Sequence, residues 1–188
     1  MLKAIIFDFD GVICNSIEAK TNAFKKLYQP YGNEIQAKVV KYHLRNGGVS
    51  RYKKFEYYHN NFLNKNINQE EIDHLSSKFS NIVVKEVIES TYVSGVLDYI
   101  RNIGEKTKLF ISTGTPTDEI NKILKAKNID YFFTGVYGSP SEKSEHVKKI
   151  LNDYKIKPSE IIFYGDSNSD LEAARAFNIK FILVKNKF

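Results

Sequence analysis

Asp8 and Asp10 stand two residues apart at the end of the apolar run Ile5-Ile6-Phe7-Asp8-Phe9-Asp10-Gly11-Val12-Ile13. Side chains two apart on a strand share a face. The two acids therefore crowd together, and like charges so placed repel unless a cation lies between them. A hard, oxygen-seeking Mg²⁺ and a phosphate would resolve that repulsion. The chemistry implied is phosphoryl transfer. Asp8 is placed to attack phosphorus and form an aspartyl-phosphate. Asp10 is placed to protonate the leaving alkoxide and later to take a proton from water.

The remaining parts of such a site recur at other strand ends. Gly11 supplies the turn after the acidic pair, and Ser112-Thr113-Gly114 offers a hydroxyl and backbone N–H donors for a phosphate. Lys143 opens a helix and brings one cation to the same oxygens, with Lys148 as the second choice. Gly165-Asp166-Ser167-Asn168-Ser169-Asp170 closes another strand. Asp166 completes a metal shell with Asp8 and Asp10, while Asp170 either holds the metal's water ligands or orients Lys143. A capped turn alone would account for Asp-x-Asp-Gly, but not for acids repeated at a second strand end with a lysine between.

The elements that must position these residues are legible from periodicity. Residues 2–9 read as a buried strand, and 16–29 as a helix stopped by Pro30. Helical stretches follow at 34–46, 50–63 and 69–89, the last with an Asn68/Glu71 start signal. Strands are expected at 108–111, 131–137, 161–164 and 180–184, with helices from Pro116 to about 127, at 142–154 and at 169–177. Strand–helix alternation with near-continuous apolar strands implies an α/β fold, a doubly wound parallel sheet of Rossmann-like form. Ligands in such sheets bind beyond the carboxyl ends of the strands. The block at 15–93 reads as an all-helical subdomain inserted into a core made of 1–14 and 94–188.

The 188-residue chain is 42 % apolar, enough for a packed core, and no apolar run approaches the length of a membrane span. The net charge of +6 is spread over amphipathic helices without an Arg-rich stripe, which argues for a solvated surface and against nucleic acid. One cysteine, Cys14, and no leader-like N-terminus lead us to expect a cytoplasmic protein. Cys14 is expected to be buried and inert. His43, His59 and His74 lack metal-ligand spacing and read as structural. His146 follows Lys143 by one turn and is expected at a solvated position.

These motifs resemble, in order and along nearly the whole chain, those of the haloacid dehalogenase-like hydrolases. The branch concerned carries a helical cap after the first strand and includes phosphoglycolate phosphatase and β-phosphoglucomutase. The resemblance implies Asp8 as nucleophile and metal ligand, and Asp10 as acid/base with a metal-binding carbonyl. It further implies Ser112 and Lys143 at the phosphate, Asp166 at the metal and Asp170 behind it. An acid at Asp10 points to phosphoryl transfer rather than dehalogenation. Gly48-Val49-Ser50-Arg51 resembles a cap loop that faces the active site. Arg51, with Arg45 and Lys54 after it, is thus the expected cap contact for the substrate. Tyr52, Phe55 and Tyr58 fit cap core at helical spacing. The implied activity is Mg²⁺-dependent hydrolysis of a small phosphorylated metabolite, a sugar phosphate or phosphoglycolate. A β-phosphoglucomutase-like mutase is the alternative, although Lys20 stands where those mutases carry a histidine. An idle phospho-ligand-binding module is a third reading. Oligomeric state is not legible.

Overall fold

The computed structural model describes residues 1–103 and 107–185. Positions 104–106 and 186–188 of the expected core lie outside the described residues. Five parallel strands form one sheet: β1 (Ala4–Phe7), β2 (Lys108–Pro116), β3 (Gly135–Ser139), β4 (Ile161–Gly165) and β5 (Lys180–Leu183). Their order is β3-β2-β1-β4-β5, so β1 is central and the order reverses on either side of it. Register sets Phe7 beside both Ile111 and Tyr164. The residues that follow, Asp8, Ser112 and Gly165, thus emerge at one level at the switch point where such sheets bind ligands.

Every side chain of β1 is buried because the sheet is covered on both faces. Alternation sends Ile5 and Phe7 into one core and Ala4 and Ile6 into the other. Helices α7 (Lys143–Tyr154) and α8 (Asn168–Ala176) pack together over the second face. Between β1 and β2 lie α1 (Ile17–Leu27), α2 (Asn33–Arg45), α3 (Arg51–Phe62), α4 (Gln69–Glu89) and α5 (Val96–Asn102). The first four pack on one another, and α4 also meets α6 (Thr117–Ala126). Their shared core is aromatic, with Phe24, Phe55, Tyr58 and Phe79 at ring distances of 4.4–6.2 Å. The capping box of Asn68 with Glu71 forms at α4, each of its two bonds 2.9 Å long. The chain enters and leaves the helical block through one paired crossing: Asn15 N–H donates to Thr91 O, and Val93 N–H to Ile13 O. The Asn15 amide adds bonds to Thr91 and Tyr92.

Three local expectations need correction, and one helix was not expected at all. The segment expected as strand 131–137 begins as a 3-10 turn, Asp130–Phe132, closed by Phe133 N–H to Asp130 O. Its strand starts only at Gly135, where pairing with Phe110 becomes available. Pro116 ends β2 instead of occupying the first turn of α6, which starts at Thr117. Helix α5 had no sequence signal because seven residues after Gly95 are too few to establish a period. His146 is buried, 3 % exposed, and not solvated. Among the described residues no helix is long and apolar enough to cross a membrane.

Candidate active site

Asp8 leaves the end of β1 with its side chain 3 % exposed. The helix that follows β3 returns over the same strand end, and its first residue, Lys143, reaches Asp8 Oδ2 at 2.8 Å and Asp170 Oδ1 at 2.5 Å. Asp170 is held in turn: its Oδ2 accepts from Ser167 N–H at 3.1 Å and from the Ser167 hydroxyl at 2.6 Å. Asp170 thus orients Lys143, while Lys148 is exposed on the same helix. Burial lowers the Lys143 ammonium, but Asp170 and Asp8 outweigh it and hold its pKa above the ordinary value. The lysine stays charged.

Carboxylate oxygens of Asp8, Asp166 and Asp170 lie within 4.8 Å of one another. Burial raises Asp8 well above the usual carboxylate range; Lys143 opposes the shift, and Asp170, Asp166 and Asp10 add to it. Burial and then Asp170 push Asp166 up to about 6. Three acids with one lysine leave an excess of negative charge, the donor set a hard divalent cation fits. Gly11 makes room for this: with φ +76° it sits where a Cβ would come within 2.3 Å of Asp166 Oδ2. The N–H of Gly11 donates to Cys14 O at 2.8 Å. That N–H is thus already engaged within the turn.

Asp10 faces a different environment. The Ser16 hydroxyl donates to its Oδ1 at 2.6 Å, and the Lys20 ammonium binds its Oδ2. Lys20 also reaches Thr115 Oγ1 at 2.6 Å. Burial raises Asp10, but the Lys20 charge and these hydrogen bonds outweigh it, leaving its pKa below the ordinary value. Asp8 and Asp10 are thus pulled apart, one toward its protonated form and one toward its ionised form.

Ser112 is fully buried, and its hydroxyl lies 2.9 Å from His146 Nδ1. His146 Nε2 lies 3.2 Å from the Gly138 carbonyl, which can only accept. Burial pulls His146 down to about 4. The neutral ring therefore carries its proton on Nε2, and Nδ1 accepts from Ser112. No periodicity in the sequence signals this pairing or that of Lys20 with Asp10, and Lys20 stands out only as a departure from a family pattern. Thr113 is buried, with its Oγ1 accepting from Thr115 N–H at 3.2 Å.

The loop Gly47–Ser50 lies over the strand ends. A Cβ on Gly48 (φ +73°) would meet Ser169 Oγ at 2.3 Å and Lys143 Nζ at 2.7 Å, and one on Gly114 would meet Gly48 O at 2.5 Å. The loop separates two cavities, of about 230 Å³ beside Asp10 and Asp166 and of about 430 Å³ beside Thr113 and Lys143. Arg45 is exposed and lines the smaller cavity, which Arg51 and Lys54 also line. Arg51 is buried, however, and both nitrogens of its fork engage Glu119 of α6. Ser80 accepts from the same guanidinium at 2.6 Å. To hold a substrate anion, Arg51 would have to exchange Glu119 for it.

The sequence profile of the haloacid dehalogenase-like hydrolases matches residues 5–184. A curated relative, the phosphorylated carbohydrates phosphatase of Thermotoga maritima, is 23% identical over 184 residues, covering 95% of this chain and 83% of that protein. Among solved structures, a β-phosphoglucomutase from Clostridium difficile superposes with TM-score 0.82 at 22% identity, covering 99% of this chain and 86% of that one. A haloacid dehalogenase-like hydrolase from Streptococcus pneumoniae gives TM-score 0.73 at 21% identity, with coverage of 97% and 84%. These structural likenesses establish a common fold.

Proposed function

This chain belongs to the haloacid dehalogenase-like hydrolases, and from that premise we propose that it is a Mg²⁺-dependent phosphatase of a small phosphorylated metabolite. The observation that carries the reading is the convergence of Asp8, Lys143, Asp166 and Asp170 at the switch point, with Asp10 lining the cavity beside Asp166. The named relative acts on phosphorylated carbohydrates. The smaller cavity lies below the roughly 300–1,000 Å³ of sites for drug-sized ligands, which suits a small leaving group.

In the first half-reaction an Asp8 carboxylate oxygen attacks phosphorus and the bond to the ester oxygen breaks, leaving an aspartyl-phosphate. Asp10, ionised before the reaction, first takes up a proton from solvent and then gives it to the departing alkoxide. In the second, Asp10 takes a proton from water, whose oxygen attacks phosphorus and frees Asp8 and inorganic phosphate. Lys143 stays charged throughout and stabilises the phosphoryl oxygens. Ser112 contributes a hydrogen bond once its hydroxyl turns from His146. Asp8 and Asp166, with the Asp10 carbonyl, would hold Mg²⁺, which when bound offsets the charge of phosphate and carboxylate. The helical block at 15–93 serves as a cap that closes the site from water through the Gly47–Ser50 loop.

Tight closure of that loop also favours a mutase, which must keep water from the phospho-enzyme. The deciding experiment is phosphate release from a panel of phosphomonoesters, with Mg²⁺ and with EDTA. Mg²⁺-dependent release supports the phosphatase. Isomerisation of β-glucose 1-phosphate without free phosphate, given a trace of the bisphosphate, replaces it with the mutase. No turnover of any member would leave a binding module.

A further inference from the structure

Helix α7 buries two polar side chains three residues apart on one face, Lys143 and His146. Lys143 meets Asp8 and Asp170. One turn further along, His146 meets Ser112 of β2 through Nδ1 and Gly138 of β3 through Nε2. Its ring lies 5.8 Å from that of Tyr137, the residue that pairs with Ser112 across the two strands. The imidazole thus spans β2 and β3 one turn from the lysine of the site. Burying an imidazole costs more than burying an aliphatic side chain unless both nitrogens are used. Here both are, and one partner is the hydroxyl assigned to the phosphate.

Proton count fixes the direction of each bond. Burial keeps the ring neutral, so it carries a single N–H. The Gly138 carbonyl has no hydrogen to give, which puts that N–H on Nε2. Nδ1 is then an acceptor only, and Ser112 donates its one hydroxyl hydrogen to it. A hydrogen held by His146 does not reach a phosphoryl oxygen at the same time. What Ser112 then turns toward the phosphate is lone pairs, which a dianion repels. Rotating the hydroxyl to the phosphate leaves Nδ1 buried without a donor, and a stranded buried acceptor is costly.

We propose that His146 is a positioning residue that sets how tightly the site holds phosphate: it competes with the phosphoryl group for the Ser112 hydrogen. This role rests on the phosphatase reading above, which puts Ser112 at the phosphoryl oxygens. His146 acts only through Ser112. The penalty falls on bound ester and bound product alike, so it raises KM and loosens the released phosphate while leaving the bond-breaking step little changed.

The test is a double-variant cycle read by calorimetric binding of inorganic phosphate with Mg²⁺ present, which needs no turnover. His146→Phe keeps an aromatic ring and removes the acceptor. It should tighten phosphate binding by about tenfold when Ser112 is present, and by less than about twofold in the Ser112→Ala background. Should the phenylalanine variant not fold, nuclear magnetic resonance of the His146 ring gives the same answer without it. The Nδ1 resonance should move toward that of an unbonded imidazole nitrogen when phosphate is added to wild type, and stay in place in Ser112→Ala. Tightening that depends on Ser112, or that Ser112-dependent movement, upholds the role even if no ester is hydrolysed, in which case the phosphatase reading alone falls. Unchanged or weaker binding in His146→Phe, an equal change in both backgrounds, or a stationary Nδ1 resonance overturns the role and leaves the phosphatase standing. Failure of every protein to bind phosphate removes both.

Discussion

Glu119→Gln isolates one contact that ties the helical block to the sheet, the buried bridge to Arg51. Arg51 on α3 and Glu119 on α6 are 4% and 9% exposed, and the pair is bidentate. Ser80 on α4 hydrogen-bonds both partners, and the guanidinium lies 4.5 Å from the centre of the Phe79 ring. Removing one member of a buried pair leaves the other charge stranded and costs about 3–5 kcal/mol. Glutamine keeps the shape and one acceptor, so the lower end, about 3 kcal/mol, is expected. For a chain of this length that is a fall in Tm of about 6–12 °C. With a urea m-value near 2 kcal/mol/M, the midpoint drops by about 1.5 M. The double variant Arg51→Met/Glu119→Leu removes both charges and should return to within about 1 kcal/mol of wild type. Urea unfolding followed by circular dichroism measures all three proteins. A loss below about 1 kcal/mol in Glu119→Gln, or no recovery in the double variant, would refute a desolvated bridge.

Four shorter predictions complete the set. Asp8→Asn should abolish turnover with an unchanged circular dichroism spectrum; substantial residual activity at full metal occupancy would remove Asp8 as nucleophile. Gly48→Ala puts a methyl against Lys143 Nζ and Ser169 Oγ at a positive φ. It should lower kcat/KM by about a hundredfold through misplacement of the loop, with wild-type kinetics counting against a closed loop. Lys20→Met removes the main influence holding Asp10 ionised. The basic limb of kcat/KM, set by loss of the acid form of Asp10, should then move to higher pH, and an unmoved limb would disprove the pairing. His146, held neutral with a pKa near 4, gives stability that is present above the unfolded value of 6.5 and lost as pH falls toward 4. That loss is on the order of 3 kcal/mol. His146→Gln should flatten this part of the pH–stability curve, and an equal slope in both proteins would contradict a buried neutral ring.

The chain's local patterns carry much of this protein. Period-two and helical spacing locate the strands and most helices, because side chains alternate across a strand and recur along a helix face whatever lies beyond them. Parallel connections then force Asp8, Ser112 and Asp166 to the same sheet end, so the acidic site is legible from strand ends alone. The sequence favours Lys143 over Lys148, and the geometry of α7 brings Lys143 to Asp8 while leaving Lys148 exposed. Arg51 and Glu119 are 68 residues apart, and Ser112 and His146 are 34 apart. No periodicity links such pairs. Which cations are neutralised, and which ones remain to meet a ligand, depends on the packing of the helical block against the sheet, and only the tertiary structure decides that.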